Sequence, residues 1–92
     1  MNRTQVADAF ASQSKPRGRA SALYFDGPVA FSYGEHFPLA VITGPKAATV
    51  NSSKYSSTTS RHQGMIRRAL AAEGFTITDA DTATMKELRR HV

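Results

Sequence analysis

Cysteine is absent from this chain, which removes disulfide staples and zinc–thiolate sites at once and fits a reducing cytoplasm. No apolar run approaches the roughly 20 residues of a membrane span, so a soluble protein is expected. The opening residues, Met-Asn-Arg-Thr-Gln-Val-Ala-Asp-Ala, hold one basic residue and no apolar h-region, so no secretory signal is read there. Length is scarce too. A chain of 92 residues (1–92) supports one domain with one core and leaves little room for a deep catalytic pocket. Acidic residues are few: 7 Asp and Glu stand against 12 Lys and Arg, for a net charge of +5. Such an excess suggests a polyanionic partner, because attraction to phosphate is long-ranged and raises encounter rates.

What is present in unusual density is hydroxyl. Between Ser52 and Ser60 lie seven Ser and Thr residues, interleaved with Lys54 and Tyr55 and followed by Arg61 and His62. A run this polar cannot be core, and it ends where a helix begins. Backbone N–H groups at a helix start carry partial positive charge, so added cations and hydroxyl donors make an anion cradle on chemical grounds. Ser and Thr are also ordinary turn and cap residues. One cap does not account for the whole run.

Taken in order, residues 2–13 read as a helix capped by Asn2 or Thr4, with Val6, Ala9 and Phe10 on its buried side. Pro16 and Gly18 break regular structure, so residues 14–19 read as a flexible basic loop carrying Lys15, Arg17 and Arg19. This loop is either a solvated linker or a phosphate-seeking arm. The period then becomes two: strands at 22–25 and 29–33 flank an Asp26-Gly27-Pro28 turn. Gly34 to Phe37 reads as a connection, Leu39 to Thr43 as a third strand beginning near Pro38, and 48–51 as a fourth. An antiparallel meander of about four strands follows from such short connections. The strongest helix spans about 59–73, with Ser60 and Gln63 at capping-box spacing and Gly74 as its stop. Met65, Ile66, Ala69 and Leu70 share one face; Arg61, Arg67 and Arg68 fall on the other half. Residues 75–78 suit a fifth short strand. Asp79 and Asp81 open a last helix running to about His91, striped by Met85 and Leu88. The fold class is therefore α+β, an antiparallel sheet of about four strands covered on one side by two or three helices.

Catalysis finds little support. His36, His62 and His91 have no metal-ligand spacing, and no cofactor is implied. His62 lies on the apolar face of its helix, so it orders the helix start by hydrogen bonding, with Glu35 or a backbone carbonyl as partner. Tyr55 reads as a core ring with its hydroxyl at the surface; an exposed ring would instead favour stacking on an unpaired base. No ribonucleoprotein octapeptide, Gly-X-X-Gly loop or helix-turn-helix is present.

Two blocks, Ser32-Tyr-Gly-Glu-His-Phe-Pro-Leu-Ala and Asn51-Ser-Ser-Lys-Tyr-Ser-Ser-Thr-Thr-Ser-Arg-His-Gln63, resemble those of a family of small phage-encoded proteins. That family carries aromatic-Gly-X-His-Phe-Pro and Tyr-Ser-X-Thr-Thr-Ser-Arg-His-Gln. The similarity runs from about Ala22 to Gly74, and the whole chain resembles phage anti-CRISPR proteins directed at the type I-F (Csy) crRNA-guided surveillance complex. The resemblance implies a non-enzymatic inhibitor, monomeric when bound, acting in the host cytoplasm. It would dock on Cas proteins of that complex and on the crRNA, and prevent target DNA from hybridising. Lys54, Thr58, Thr59, Ser60 and Arg61 match the second block and are expected to face RNA. Tyr55, Arg67 and Arg68 are expected on the same binding surface, and Lys15, Arg17 and Arg19 join it on charge alone. A stand-alone nucleic-acid-binding protein of the phage is the alternative.

Overall fold

Asn2 starts the first helix. Its side-chain oxygen accepts from the Gln5 N–H at 2.8 Å, while its own N–H donates to the Gln5 side chain at 2.8 Å, a reciprocal cap. In the computed structural model, which describes every residue from Met1 to Val92, this helix α1 covers Arg3–Ser12 and buries Val6, Ala7, Ala9, Phe10 and Ala11. Gln13 ends it in the left-handed region, at φ 52°, and its side chain donates to the Gly27 carbonyl at 2.9 Å.

Five strands follow in antiparallel sequence: β1 (Arg17–Ala20), β2 (Leu23–Asp26), β3 (Val29–Ser32), β4 (Gly34–Gly44) and β5 (Ala47–Asn51). Helix α2 (Ser57–Ala72) then carries the chain to β6 (Thr76–Ala80), which lies parallel to β5 and completes a six-stranded mixed sheet. The meander read from the sequence is present as β2 to β5; β1 is added at one edge, and the fifth short strand read at 75–78 is β6 at the other. A parallel neighbour needs a crossover, and α2 supplies it.

The basic stretch expected to be a loop is half strand. Arg17 pairs with Asp26 and Arg19 with Tyr24, so the segment without regular structure shrinks to its first residues. Gly18, read as a breaker, has a packing role. A Cβ there would lie 2.8 Å from Cε1 of Phe25, a buried ring, so glycine lets backbone and ring touch. Pro16 precedes the strand, and its carbonyl accepts from the Gly27 N–H at 2.7 Å.

The connection expected at Gly34 to Phe37 is the first part of β4. Tyr33 alone reverses the chain, at φ 70°. Pro38 sits within β4 and not at its start, where register shifts on either side of Phe31 interrupt the ladder and its missing N–H does no harm. Leu39 and Ala40, though consecutive, both join the larger core cluster, the signature of that bulge.

Helices cover both faces of the sheet, not one. Leu23, Phe25, Ala30, Leu39, Ala48 and Val50 meet α1 and α2. Val29, Phe31 and Val41 alternate to the other face and meet Met85 and Leu88 of α3 (Thr82–Arg89). A sheet apolar on both faces needs a second cover. Asp81 caps α3 by accepting from the Thr84 N–H at 2.8 Å, and hydrogen bonds from Thr84, the side chain's first, hold its carboxyl below the usual range. No helix is long and apolar enough to cross a membrane.

Candidate nucleic-acid interface

Between β5 and α2 the polar run is tied down before it reaches the surface. The Gln63 amide donates to the carbonyls of Asn51 at 2.6 Å and Ser53 at 3.0 Å. Buried Asn51 donates to the Pro38 carbonyl at 2.9 Å and to Thr82 Oγ1 at 3.1 Å. Ser52 hydroxyl donates to the Ala80 carbonyl, and Ser53 Oγ accepts from the Thr82 N–H. The segment is therefore sewn to β4, β6 and α3, and the next residues leave it at a fixed angle.

Helix α2 begins two residues earlier than the sequence spacing indicates. Ser56, in extended conformation at φ −153°, is the N-cap, and its Oγ accepts from the Thr59 N–H at 3.1 Å. The expected Ser60–Gln63 capping box is absent because Ser60 lies inside the helix, its N–H donating to the Ser56 carbonyl at 3.0 Å, and the Gln63 amide goes to the Asn51 and Ser53 carbonyls instead. Thr59, expected to face RNA, is fully buried. Its hydroxyl lies 3.0 Å from Ser32 Oγ, which in turn lies 2.9 Å from His62 Nδ1. His62 is thus a buried helix-ordering residue, as its place on the apolar face indicates. Its partner is Ser32, and Glu35 instead pairs with Arg89 at 3.0 Å. Burial first, and then the charge of Arg3, pushes the His62 imidazole below its ordinary pKa, so the ring is neutral near pH 7.

Four of the seven hydroxyls, on Ser52, Ser53, Ser56 and Thr59, bond within the chain. The side chains of Ser57, Thr58 and Ser60 have no such partner, and Ser57 and Ser60 are exposed. Lys54, Tyr55 and Arg61 are exposed beside them. No acidic residue occupies the first turn of α2, so its positive end is unopposed.

The arginines divide. Residues seven apart on a helix differ by only about 20° around its axis, so Arg61 and Arg68 share a stripe. Arg68, exposed, lines the shallow groove that Met65 and Ala69 form with Thr4 and Asp8 of α1. Arg67 turns away to β6, where it binds Asp79 at 2.6 Å, so it does not share a surface with Lys54 and Arg61. Lys15 lines a separate depression with Gln5 and Asp8. Gly18 and Ala20 pack toward α1, so strand alternation sends Arg17 and Arg19 to the opposite sheet face. There the Arg19 guanidinium sits 4.1 Å from the centre of the Tyr24 ring. On the same face Tyr24 stacks on Phe31 at 5.0 Å, and burial, with Glu35 nearby, raises its phenol pKa.

Tyr55 is not a core ring: it is 54% exposed, and its neighbours were missed by sequence reasoning. Tyr33, 51% exposed, has its ring centre 6.1 Å from that of Tyr55; His36 is at 5.8 Å and buried Phe37 at 5.2 Å. His36 Nε2 lies 3.3 Å from the Tyr55 hydroxyl. The signal was present in the Tyr33 to Phe37 block, which joins the hydroxyl-rich run only through the pairing of β4 with β5. No three His, Asp or Glu side chains converge into a metal-binding group. Comparison with models of known families, with curated proteins and with solved structures finds no match.

Proposed function

We propose that this protein is a non-enzymatic inhibitor of a type I-F crRNA-guided complex, binding its Cas subunits and guide RNA and blocking hybridisation of target DNA. One observation carries the reading. At the start of α2, Lys54, Arg61 and the free hydroxyls of Ser57, Thr58 and Ser60 share an end that holds no carboxylate, beside half-exposed aromatic rings. Cations, hydroxyl donors and flat rings are the three elements that recognise unpaired RNA by phosphate and base. The direction of the effect follows from charge. A guide pairs with its target inside a positively charged channel, where a basic protein cannot imitate DNA. It instead grips the guide and wedges against subunit surfaces. The identity of the complex rests on the resemblance of the two blocks at 32–40 and 51–63.

The test is an order-of-addition assay with purified type I-F complex and labelled target DNA. Protein added first is expected to prevent hybridisation, and protein added after the DNA to leave the duplex in place. The reading is contradicted if the protein binds free RNA as tightly as the complex, with steep salt dependence, and leaves hybridisation unchanged; a stand-alone nucleic-acid-binding protein behaves that way.

A further inference from the structure

Tyr33 is the least expected residue on the surface. Leu23, Phe25 and Phe31 show that the neighbouring strands place their large rings and branched side chains inward. Tyr33 follows Phe31 by two residues, and continued strand geometry would keep it on the same face, towards α3. Instead it takes φ 70°, a left-handed conformation that L side chains other than Asn and Asp rarely hold. The chain accepts this strain, and the result is an outward ring. Gly34 completes the arrangement: a Cβ there would lie 3.1 Å from His36 Nδ1, so glycine lets the imidazole fold close to the turn. The same positive φ that reverses the chain between β3 and β4 therefore also turns the Tyr33 ring to solvent beside Tyr55.

Tyr55 arrives from the other direction, on the segment sewn down by Gln63 and Asn51. Its ring rests on buried Phe37, is flanked edge-on by His36, and has its hydroxyl within reach of His36 Nε2. The two tyrosines thus form one aromatic corner, tilted 52° to each other and each about half exposed. Flat rings held this way lose little freedom on binding a planar ligand. Charge selects the ligand. Lys54 precedes Tyr55 and Arg61 lies one turn into α2, both exposed, whereas Glu35, next to His36 in the chain, is paired with Arg89 of α3.

We infer that Tyr33 and Tyr55 form a stacking platform for an unpaired base of single-stranded RNA, with His36 fixing the Tyr55 ring as a positioning residue. The inference rests on the reading that the α2 end meets a guide RNA, and it adds that recognition there reaches the bases and does not stop at phosphate. Stacking tolerates any base, so the platform reads strandedness and not sequence. It also accounts for His36: the imidazole is exposed, touches no metal group, and has Tyr55 as its contact.

The experiment measures affinity of the full-length protein for type I-F complex assembled on intact crRNA and on crRNA with abasic nucleotides scattered through the guide. Tyr33→Ala and Tyr55→Ala are each expected to weaken binding to the intact-guide complex by about 5- to 150-fold, the range found for loss of one base–aromatic stack. Tyr→Phe at either position is expected to retain binding, and Tyr→Leu, which keeps apolar cover over Phe37 without a flat face, to lose it. The wild type is expected to lose affinity on the abasic guide, and the Tyr33→Ala/Tyr55→Ala protein to be indifferent to it. Thermal melts matching the wild type show that the variants fold. Alanine variants that bind the intact complex normally overturn the platform while leaving the guide-binding reading intact. Alanine variants that weaken binding equally on both guides show that the rings meet a protein surface, which also overturns it. A wild type that binds neither complex overturns both.

Discussion

Replacing Ser32 by alanine removes one oxygen from the interior and tests how the start of α2 is held. Ser32 Oγ stands 3.0 Å from Thr59 Oγ1 and 2.9 Å from His62 Nδ1, and all three residues are buried. With His62 neutral and its proton on Nε2, one donor direction satisfies the three hydroxyls and Nδ1. Ser56 donates to Thr59, Thr59 to Ser32, and Ser32 to the imidazole nitrogen. No buried side-chain polar atom in the protein lacks a partner. In the Ser32→Ala protein Thr59 loses its acceptor and His62 Nδ1 loses its donor, and a buried polar atom left unsatisfied costs about 1–3 kcal/mol. Taking about 2 kcal/mol, and about 4–8 °C of melting temperature per kcal/mol for a domain of this size, the midpoint should fall by roughly 8–16 °C. Thermal unfolding followed by circular dichroism at pH 7.5 measures it, with exposed Ser57→Ala as a control expected within about 0.5 kcal/mol of the wild type. Thr59→Val should cost less, and the double variant less than the sum, because the two share one chain of hydrogen bonds. A Ser32→Ala protein that melts within about 2 °C of the wild type would show that this hydrogen-bond chain does not hold the start of α2.

Three further outcomes follow from other parts of the structure. Because burial lowers the His62 pKa in the folded state, the unfolded chain takes up a proton first as pH falls. Stability should be flat above pH 7 and decline below the ordinary histidine value of 6.5, and His62→Gln should remove that decline in urea titrations between pH 7.5 and 5. Gly18→Ala forces a methyl against Phe25, itself 5.7 Å from the Phe10 ring, and should cost about 1–3 kcal/mol in the same titration. Arg67→Ala, which breaks a solvent-exposed pair with Asp79, should cost less than about 1 kcal/mol and leave affinity for the type I-F complex unchanged.

The elements were legible where local signals decide them. The apolar stripe of α2, the Asp26-Gly27-Pro28 turn and the Gly74 stop, at φ 81°, all read correctly from neighbours in sequence, and of the two caps read for α1, Asn2 or Thr4, Asn2 is the one used. What escaped depends on residues far apart. Gly18 looks like a breaker until the Phe25 ring is beside it, so β1 read as loop. Thr59 has the same chemistry as Thr58, and only Ser32, brought near by β3, partners one in the interior while the other stays half-buried without a side-chain partner. The two-sided cover escaped because Met85 and Leu88 give α3 an apolar stripe without saying which face of the sheet it meets. Tyr33 read as a strand residue because nothing local announces a positive φ at tyrosine.

Under the proposed function the α2 end, and not the β1 edge, is the surface that meets the partner. Equilibrium binding to assembled type I-F complex at constant salt, comparing Lys54→Glu/Arg61→Glu with Arg17→Glu/Arg19→Glu, separates them at equal change of net charge. The first pair is expected to weaken binding by at least about tenfold and the second by less than about threefold. Equal losses from both pairs, or a larger loss from the β1 pair, would contradict it.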